Sequence, residues 1–184
     1  MILRDLKQSD AIRMLEWMHD DDIVHNLHTD FSNKTAGDCE SFIESASTLE
    51  EIREKVARDE SADLHLAIED EGKYMGTTSL KHIGDGVAEF AIVLHPDALG
   101  HGIACSAMME IFDIGHRLLG LEKIYWCVDM DNRRAVKFYD KMISRADTDI
   151  EHMSRHDMPK HLLDYYSDDK GDDIIWYVSK GIDN

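Results

Sequence analysis

The chain has 184 residues, of which 43% are hydrophobic and 32% are charged, and its formal net charge at pH 7 is −18. This length suits a single domain with a buried core, and no run approaches the roughly 18 apolar residues needed to span a bilayer. The acidic balance argues against nucleic acid as a partner, because phosphate backbones are bound by basic surfaces.

The first residues and the cysteines indicate a reducing environment. The start, "MILRDLKQSD", has no basic region, apolar stretch or small-residue cleavage site, so we expect no signal peptide. Cys39, Cys105 and Cys127 are odd in number, widely spaced and outside any C-x-x-C motif, which predicts free thiols. We therefore expect a cytoplasmic protein that does not contact membranes.

The first third of the chain predicts one strand followed by helices. "MILRDL" is typical of a short edge strand, and residues 9–20 predict a helix with three inward-facing side chains, Ile12, Leu15 and Met18. Residues 36–58 predict two helices. The second begins near "SASTLEE", where a capping box is available to Ser47 or Thr48 with Glu50 or Glu51.

The middle of the chain changes from helical to alternating periodicity. "LHLAIE" places three apolar residues on one face, namely Leu64, Leu66 and Ile68. "DEGK" predicts a hairpin turn and "YMGTTSLKHI" the returning strand. After the turn "GDG", the segment "VAEFAIVLH" predicts a third strand. Three neighbouring strands with short turns predict an antiparallel meander.

The last part of the chain alternates helices and strands. Residues 103–119 predict one long helix with an apolar stripe: Ala104, Ala107, Met108, Ile111, Phe112, Gly115, Leu118 and Leu119. Gly120 suits the position after its last turn. "KIYWCV" predicts a strand, "NRRAVKFYDKM" a helix and "DIIWYVSK" the final strand. Together the elements predict an α+β (mixed α/β) fold, one domain over residues 1–184, with helices on both faces of one sheet.

Two glycines stand at the entrance to the predicted long helix. Helix N-termini present unpaired N–H groups and a partial positive charge, so Gly100 and Gly102 favour an anion site, although a simple turn would also explain them. The spacing is neither a Walker A loop nor a Rossmann fingerprint. Residues 114–145 carry seven basic and four acidic side chains, a net charge of +3. This basic stretch inside an acidic chain favours an anionic small-molecule ligand.

The order of these elements and two motifs resemble the GNAT superfamily of N-acetyltransferases. The cofactor loop of that family reads Gln/Arg-x-x-Gly-x-Gly/Ala, and "LGHGIA" has Gly102 and Ala104 at the two small positions but Leu99 at the usual Gln/Arg. Four residues match the family's Asn-x-x-Ala-x-x-x-Tyr-x-Lys run, namely Asn132, Ala135, Tyr139 and Lys141, while "MI" replaces the Gly-Phe that usually follows. "LRDLKQSDAIRMLEWMHD" resembles the branch of ribosomal-protein and amino-sugar acetyltransferases.

The resemblance implies a mixed, mostly antiparallel sheet whose fourth and fifth strands, "VAEFAIVLH" and "KIYWCV", splay apart around acetyl-CoA. It implies that backbone groups at Val93 and Leu94 hold the pantetheine arm and that residues 100–104 hold the pyrophosphate. Arg133, Arg134 or Lys137 is expected to face the phosphates. The implied cofactor-binding set is Val93, Leu94, Leu99, Gly100, His101, Gly102, Ile103, Ala104, Asn132, Arg134, Ala135 and Tyr139. We expect acetyl-CoA as co-substrate and no metal.

Two residues are candidates for proton transfer. The family motif points to Tyr139 as the acid that protonates the departing thiolate, because a phenol is well matched to an alkyl thiol in acidity. The alternative is a core aromatic beside Phe138. Glu89 lies among apolar residues of a strand. Three roles are open for its carboxylate: it takes the ammonium proton, it binds the cationic amine, or it simply faces solvent. A backbone N–H near Leu94 is expected to polarise the thioester carbonyl.

The acceptor site is less defined by the sequence. By resemblance, the loop after the first helix shapes the acceptor pocket, so Trp17, His25, Phe31 and Glu89 are candidate substrate-binding residues, with plain packing an equal alternative for Trp17. The segment "EHMSRHDMPKH" is expected to be a loop or short helix near that site. It offers no cysteine or carboxylate frame for a metal.

Three functions remain open from the sequence. The first is acetyl transfer to a primary amine of a small molecule, such as an amino sugar or nucleotide-linked amino sugar, by direct attack in a ternary complex. The second is acetylation of a protein N-terminus, and the third is a non-catalytic acyl-CoA-binding module. The expected partner is a small amine acceptor, and the expected assembly is a monomer or homodimer.

Overall fold

The computed structural model describes residues 1–27, 29–163, 165 and 173–181. These residues form one seven-stranded sheet with the spatial order β1-β2-β3-β4-β5-β7-β6. Its strands are β1 Ile2–Asp5, β2 Ala62–Asp70, β3 Lys73–Gly84, β4 Val87–Leu94, β5 Lys123–Asp129, β6 Ile150–Met153 and β7 Ile174–Ser179. β4 and β5 pair in parallel, and the other described neighbours pair antiparallel. The predicted meander of β2, β3 and β4 and the mostly antiparallel sheet are confirmed.

Helices cover both faces of this sheet. They are α1 Ala11–Met18, α2 Asp21–Val24, α3 Ala36–Ser45, α4 Leu49–Ala57, α5 Ile103–Asp113, α6 Arg133–Ile143 and α7 Lys160–Leu163. Side chains of α4, α5 and α6 pack with Leu66 and Trp126 in the largest core cluster. The next residues of the same strands, Ala67 and Cys127, point to the opposite face, where Ala67 packs with α1 and α3 and Cys127 with α7. The predicted α+β class is confirmed.

The buried face of α1 differs from the prediction. Ile12, which we predicted to face inward, is 69% exposed, whereas Leu15 and Met18 are half-buried and pack against the core as predicted. The fully buried residues of the helix are Ala11, Met14 and Trp17. A 3₁₀ turn at Gln8–Asp10 precedes the helix. Its Asp10 carboxylate is buried and accepts hydrogen bonds from the Arg4 guanidinium at 2.8 Å and the Lys7 N–H at 2.9 Å. This buried ion pair anchors the residue that precedes the helix, and the helix buries its face against residues of α3, β2 and β3.

The start of α4 follows the predicted capping box. The Thr48 hydroxyl accepts from the Glu51 N–H at 3.3 Å, and the Glu51 carboxylate accepts from the Thr48 N–H at 2.8 Å. These two bonds satisfy orphan N–H groups of the first turn. Ile52, next along the helix, is fully buried under β2.

The long helix after the glycines is not uniform. The α-helix ends at Asp113 and continues as a π-helical turn over Ile114–Leu118, which corrects the prediction of one regular helix to residue 119. The wider turn rotates Leu118 outward, so this predicted core residue is 43% exposed. Gly115 remains buried, and an added Cβ there would lie 2.7 Å from the Ile124 side chain. Gly120 closes the turn with φ of 70°, as predicted.

The histidine-rich segment after α6 contains a strand that the sequence analysis missed. β6 pairs with β7 along the sheet edge, so the expectation of only a loop or short helix is wrong for residues 151–153. A 3₁₀ turn at Arg155–Asp157 and α7 follow. Among the described residues, no group of three or more His, Cys, Asp or Glu side chains is arranged to hold a metal. No helix within the described ranges is long and apolar enough to cross a membrane.

Candidate active site

β4 and β5 part in the middle of the sheet. Their parallel register covers three residue pairs and ends at Glu89 opposite Tyr125. β4 continues for five residues to Leu94, and β5 continues for four residues to Asp129. The side chains of β4 beyond the last pair include Ile92, Val93 and Leu94, which are only half-buried although they are apolar. The expected splay of these strands is confirmed.

The loop that follows β4 presents backbone N–H groups at the start of α5. Gly100 and Gly102 have φ of 86° and 77°, in the left-handed region that favours glycine. No described atom lies within 4 Å of a Cβ added at either position, so conformation and open space, rather than crowding, require glycine there. Within the described chain, the N–H groups of residues 101–104 have no acceptor. Unpaired N–H groups at a helix N-terminus bind anions.

The remaining residues of the predicted cradle lie around this loop. Leu99 is half-buried, His101 is exposed, and Ile103 and Ala104 begin α5. Leu99 places no polar side chain at the position where the family has Gln or Arg. Cofactor contacts of these side chains stay predictions.

The start of α6 explains the first part of the family's Asn-x-x-Ala-x-x-x-Tyr-x-Lys motif. The Asn132 side-chain oxygen accepts a hydrogen bond from the Ala135 N–H at 3.1 Å, so this Asn-x-x-Ala pattern is a helix cap. The three basic residues that follow are exposed, and no described carboxylate forms an ion pair with them: Arg133, Arg134 and Lys137. Their cationic groups are available to a phosphate, and contact with a cofactor stays a prediction.

Tyr139 lies in the core between α6 and the sheet. Its ring packs against Trp126 at 5.5 Å and Tyr177 at 5.2 Å between centroids, and 7% of the residue is exposed. Burial raises the pKa of its phenol far above its usual range, so the hydroxyl stays protonated and is a weaker acid than the match to an alkyl thiol assumed. No described residue forms a hydrogen bond with that hydroxyl. The residue is a core aromatic that also carries an unused proton donor, and its catalytic role stays a prediction.

Glu89 occupies the last position before the strands part. Its carboxylate lies 2.8 Å from the Lys81 ammonium and 3.7 Å from Nε2 of His82, and its side chain is 13% exposed. The expectation of a carboxylate among apolar neighbours therefore missed two polar partners on β3. The hairpin register, which pairs Lys81 with Glu89, is the signal that identifies the first. His82 lies at a bulge with φ of 53°, which periodicity does not predict.

Three of the four predicted acceptor residues lie together. A groove of about 610 Å³ is lined by Met18, His19, Asp21, Val24, His25, Thr29, Asp30, Phe31 and Ser32. Trp17 packs edge-on against Phe31 at 5.4 Å and donates its indole N–H to the Tyr74 hydroxyl at 3.1 Å. Val93 of β4 and Phe31 of the groove both pack against the hydrophobic cluster that contains Trp17. Glu89 is not among the residues that line it.

A family model described as an acetyltransferase (GNAT) domain matches residues 1–142. The chain belongs to the GNAT acetyltransferase family. It is also 30% identical over 115 residues to the spermidine N(1)-acetyltransferase of Escherichia coli strain K12, which is 61% of this chain and 59% of that enzyme. The match therefore spans about three fifths of that relative's length. The Vibrio cholerae spermidine N(1)-acetyltransferase is 31% identical over 121 residues, or 64% of this chain and 69% of that enzyme.

Solved structures of the GNAT family share the fold over almost the whole chain. The spermidine N-acetyltransferase of Vibrio cholerae in complex with CoA and spermine superposes with a TM-score of 0.65 at 20% identity, covering 96% of this chain and 93% of that one. A GNAT acetyltransferase from Bacillus anthracis gives a TM-score of 0.61 at 15% identity, covering 96% and 92%. At these identities the likeness concerns the fold.

Proposed function

We propose that the chain transfers the acetyl group of acetyl-CoA to a primary amine of a small polyamine, by direct attack in a ternary complex. The observation that carries this proposal is the opening between β4 and β5, with unpaired N–H groups of residues 101–104 at its mouth. Membership of the GNAT family supports the reaction, and the spermidine acetyltransferases among the relatives support the acceptor class.

The residues at the opening fit coenzyme A. The N–H groups at the start of α5 match a diphosphate in charge and in hydrogen-bonding capacity, and the exposed basic side chains of α6 add positive charge. The apolar residues Ile92, Val93 and Leu94 suit a pantetheine arm that runs along β4. When bound, the cofactor supplies the activated acetyl thioester. No part of this proposal needs a metal.

The groove beside α1 fits a polycation. Residues 14–33 contain five carboxylates and neither Lys nor Arg: Glu16, Asp20, Asp21, Asp22 and Asp30. Asp21 and Asp30 line the groove, and hydrogen bonds from Ser32 lower the pKa of Asp30, which keeps it ionised. Phe31 adds an aromatic wall over which an alkyl-ammonium chain can lie. A polyamine combines the charges and the methylene segments that such a groove accommodates.

The other acceptors have less support from this groove. An amino sugar offers one cation and many hydroxyl groups, and a nucleotide-linked amino sugar carries phosphates that a row of carboxylates repels. A basic protein N-terminus suits the charge and is the second candidate. A non-catalytic acyl-CoA-binding module needs neither a protonated Tyr139 nor Glu89, and both are present.

In the proposed reaction the chain's own residues move two protons. Glu89 accepts a proton from the substrate ammonium, directly or through water, so that the neutral amine can attack the thioester carbonyl. The backbone N–H near Leu94 stabilises the charge that develops on the carbonyl oxygen. Tyr139 donates its phenolic proton to the departing thiolate. The Lys81 ammonium holds the Glu89 carboxylate at the base of the opening.

Thiol release from acetyl-CoA tests the proposal. We expect turnover with spermidine and spermine, and at most weak turnover with glucosamine, a nucleotide-linked amino sugar or a basic peptide. Asp21→Asn with Asp30→Asn is expected to raise the KM for spermidine about tenfold and to leave the KM for acetyl-CoA unchanged. The matched control removes two carboxylates from the exposed face of α4, Glu50→Gln with Glu54→Gln. CoA binding with no turnover on any amine would instead favour the binding module.

A further inference from the structure

Four side chains join α1 to the segment that leads from β4 into the glycine-rich loop. Arg13 donates from Nε to the Tyr74 carbonyl at 2.8 Å and from Nη2 to the Asp97 carboxylate at 2.9 Å. The same Nη2 lies 3.1 Å from Nδ1 of His95. On the other side of the His95 ring, Nε2 lies 2.9 Å from the Glu16 carboxylate. Both Arg13 and Glu16 belong to α1, and His95 and Asp97 lie between β4 and Gly100.

The hydrogen bonds around His95 determine where its proton lies. Nδ1 faces two donors, the Arg13 guanidinium and the Asp97 N–H at 3.1 Å, so it acts as the acceptor. The proton of the neutral ring is then on Nε2 and is donated to Glu16. His95 is 6% exposed, so its ring has little access to water that could replace these partners. Nδ1 thus contacts both α1 and the segment before the loop, and Nε2 contacts α1 alone.

The same helix also forms one side of the acceptor groove. Met18 lines the groove, and Trp17 packs against Phe31 on its wall. Arg13 and Glu16 lie on the preceding turn of the helix. Successive turns of α1 therefore contact two different places. The turn with Arg13 and Glu16 contacts the segment before the N–H groups of residues 101–104, and the turn with Trp17 and Met18 contacts the acceptor groove.

The ion pairs made by the two carboxylates of the network add little to global stability. The Asp97 side chain is 59% exposed and the Glu16 side chain is 50% exposed, and ion pairs this accessible are weakly stabilising. Removing one of them is therefore expected to change the local position of the loop without unfolding the chain. This makes ligand binding the informative readout.

We infer that Arg13 and His95 are positioning residues that hold the cofactor loop against the helix of the acceptor groove, so that binding of coenzyme A and binding of the amine favour each other. This inference rests on the proposed function. One ligand orders the α1–loop contact, and the second ligand then binds to an ordered site at lower entropic cost. The coupling is reciprocal because both ligands act on one contact.

Titration with unreactive CoA tests the inference, with and without saturating spermidine. In the wild type we expect spermidine to tighten CoA binding about fivefold, which is the lower end of typical coupling between sites. Arg13→Gln is expected to weaken CoA binding in the absence of spermidine and to reduce the coupling to about onefold. The control is Arg58→Gln, which also removes an ion-paired arginine but lies at the end of α4. Both variants should melt within about 2 °C of the wild type.

His95 variants separate the two ring nitrogens. His95→Asn keeps an acceptor for the Asp97 N–H and for Arg13, so it is expected to retain CoA affinity within about twofold. His95→Gln can still donate to Glu16 but offers no acceptor to Arg13 and the Asp97 N–H, so it is expected to behave like Arg13→Gln. Wild-type affinity and coupling in Arg13→Gln, or equal losses in the Asn and Gln variants, would overturn the inference.

These outcomes are separable from failure of the proposed function. If the wild type does not bind CoA, the proposed function fails. If the wild type binds CoA and acetylates spermidine but Arg13→Gln binds like Arg58→Gln, only the positioning role is wrong.

Discussion

Replacing Gly102 with alanine tests why the cofactor loop needs glycine. Gly102 has φ of 77°, and no described atom lies within 4 Å of an added Cβ, so the cost is conformational and not steric. A left-handed alanine costs about 1–2 kcal/mol. Gly120 is a matched control, because its φ is 70° and its Cβ position is equally open. Both substitutions should lower the free energy of unfolding by the same amount, measured in urea.

Only the Gly102 variant is expected to affect the cofactor. Alanine favours backbone conformations outside the left-handed region, and any shift toward them turns the N–H groups at the start of α5 away from the diphosphate. Each lost charge-assisted hydrogen bond costs about 1.5–3 kcal/mol, or roughly 10-fold to 100-fold in Kd. Calorimetric titration should therefore show CoA binding weakened by that factor in Gly102→Ala and unchanged in Gly120→Ala.

A second ligand separates diphosphate binding from the rest of the site. Pantetheine has the same arm without the phosphates, so its inhibition constant should be equal in the two variants. Equal CoA affinity in Gly102→Ala and Gly120→Ala, with both destabilised as expected, would refute the assignment of the loop to the diphosphate.

Three further predictions follow from the site and its core. Tyr139→Phe should bind CoA normally and keep its stability, because the hydroxyl has no described partner. Its kcat should fall about 10²–10⁴-fold, and an unchanged kcat would remove Tyr139 from the mechanism. Glu89→Gln should lower kcat about 10²-fold with a similar KM for spermidine, whereas a raised KM with unchanged kcat would make it only a binding group. Burial raises the pKa of Tyr74 to about 12, so the folded chain binds more protons than the unfolded chain between pH 10 and 12. Stability should fall there by about 1.4 kcal/mol per pH unit from this group, and urea unfolding of Tyr74→Phe should show a shallower fall.

Local patterns predicted most elements, because most of them depend on neighbouring residues. The capping box of α4 and the meander of β2, β3 and β4 are of this kind. The buried face of α1 is different, because it depends on packing against residues of other elements, such as Cys39, Ala67 and Tyr74. The π-helical turn at Ile114–Leu118 is also not visible in the local period, and within it Gly115 packs closely on Ile124 of β5.

In the candidate site, too, some features follow from the local sequence and others depend on tertiary contacts. The sequence identifies the glycines, because left-handed backbone is a local requirement. Asn132 is identified only through the family motif, and its role as the cap of α6 emerges from the structure. The partners of Glu89 come from another strand, and its contacts with Lys81 and His82 depend on the register and the bulge of β3. Tertiary packing also decides which of the predicted acceptor residues lie together, because the packing of α1 brings Trp17 against Phe31.

We propose that coenzyme A lies between the parting strands β4 and β5. A crystal structure of the chain with CoA is the decisive measurement. We expect the diphosphate within hydrogen-bond distance of the N–H groups of residues 101–104 and the pantetheine arm along Val93 and Leu94. A structure with CoA bound elsewhere, or with the opening closed by side chains at saturating CoA, would contradict it.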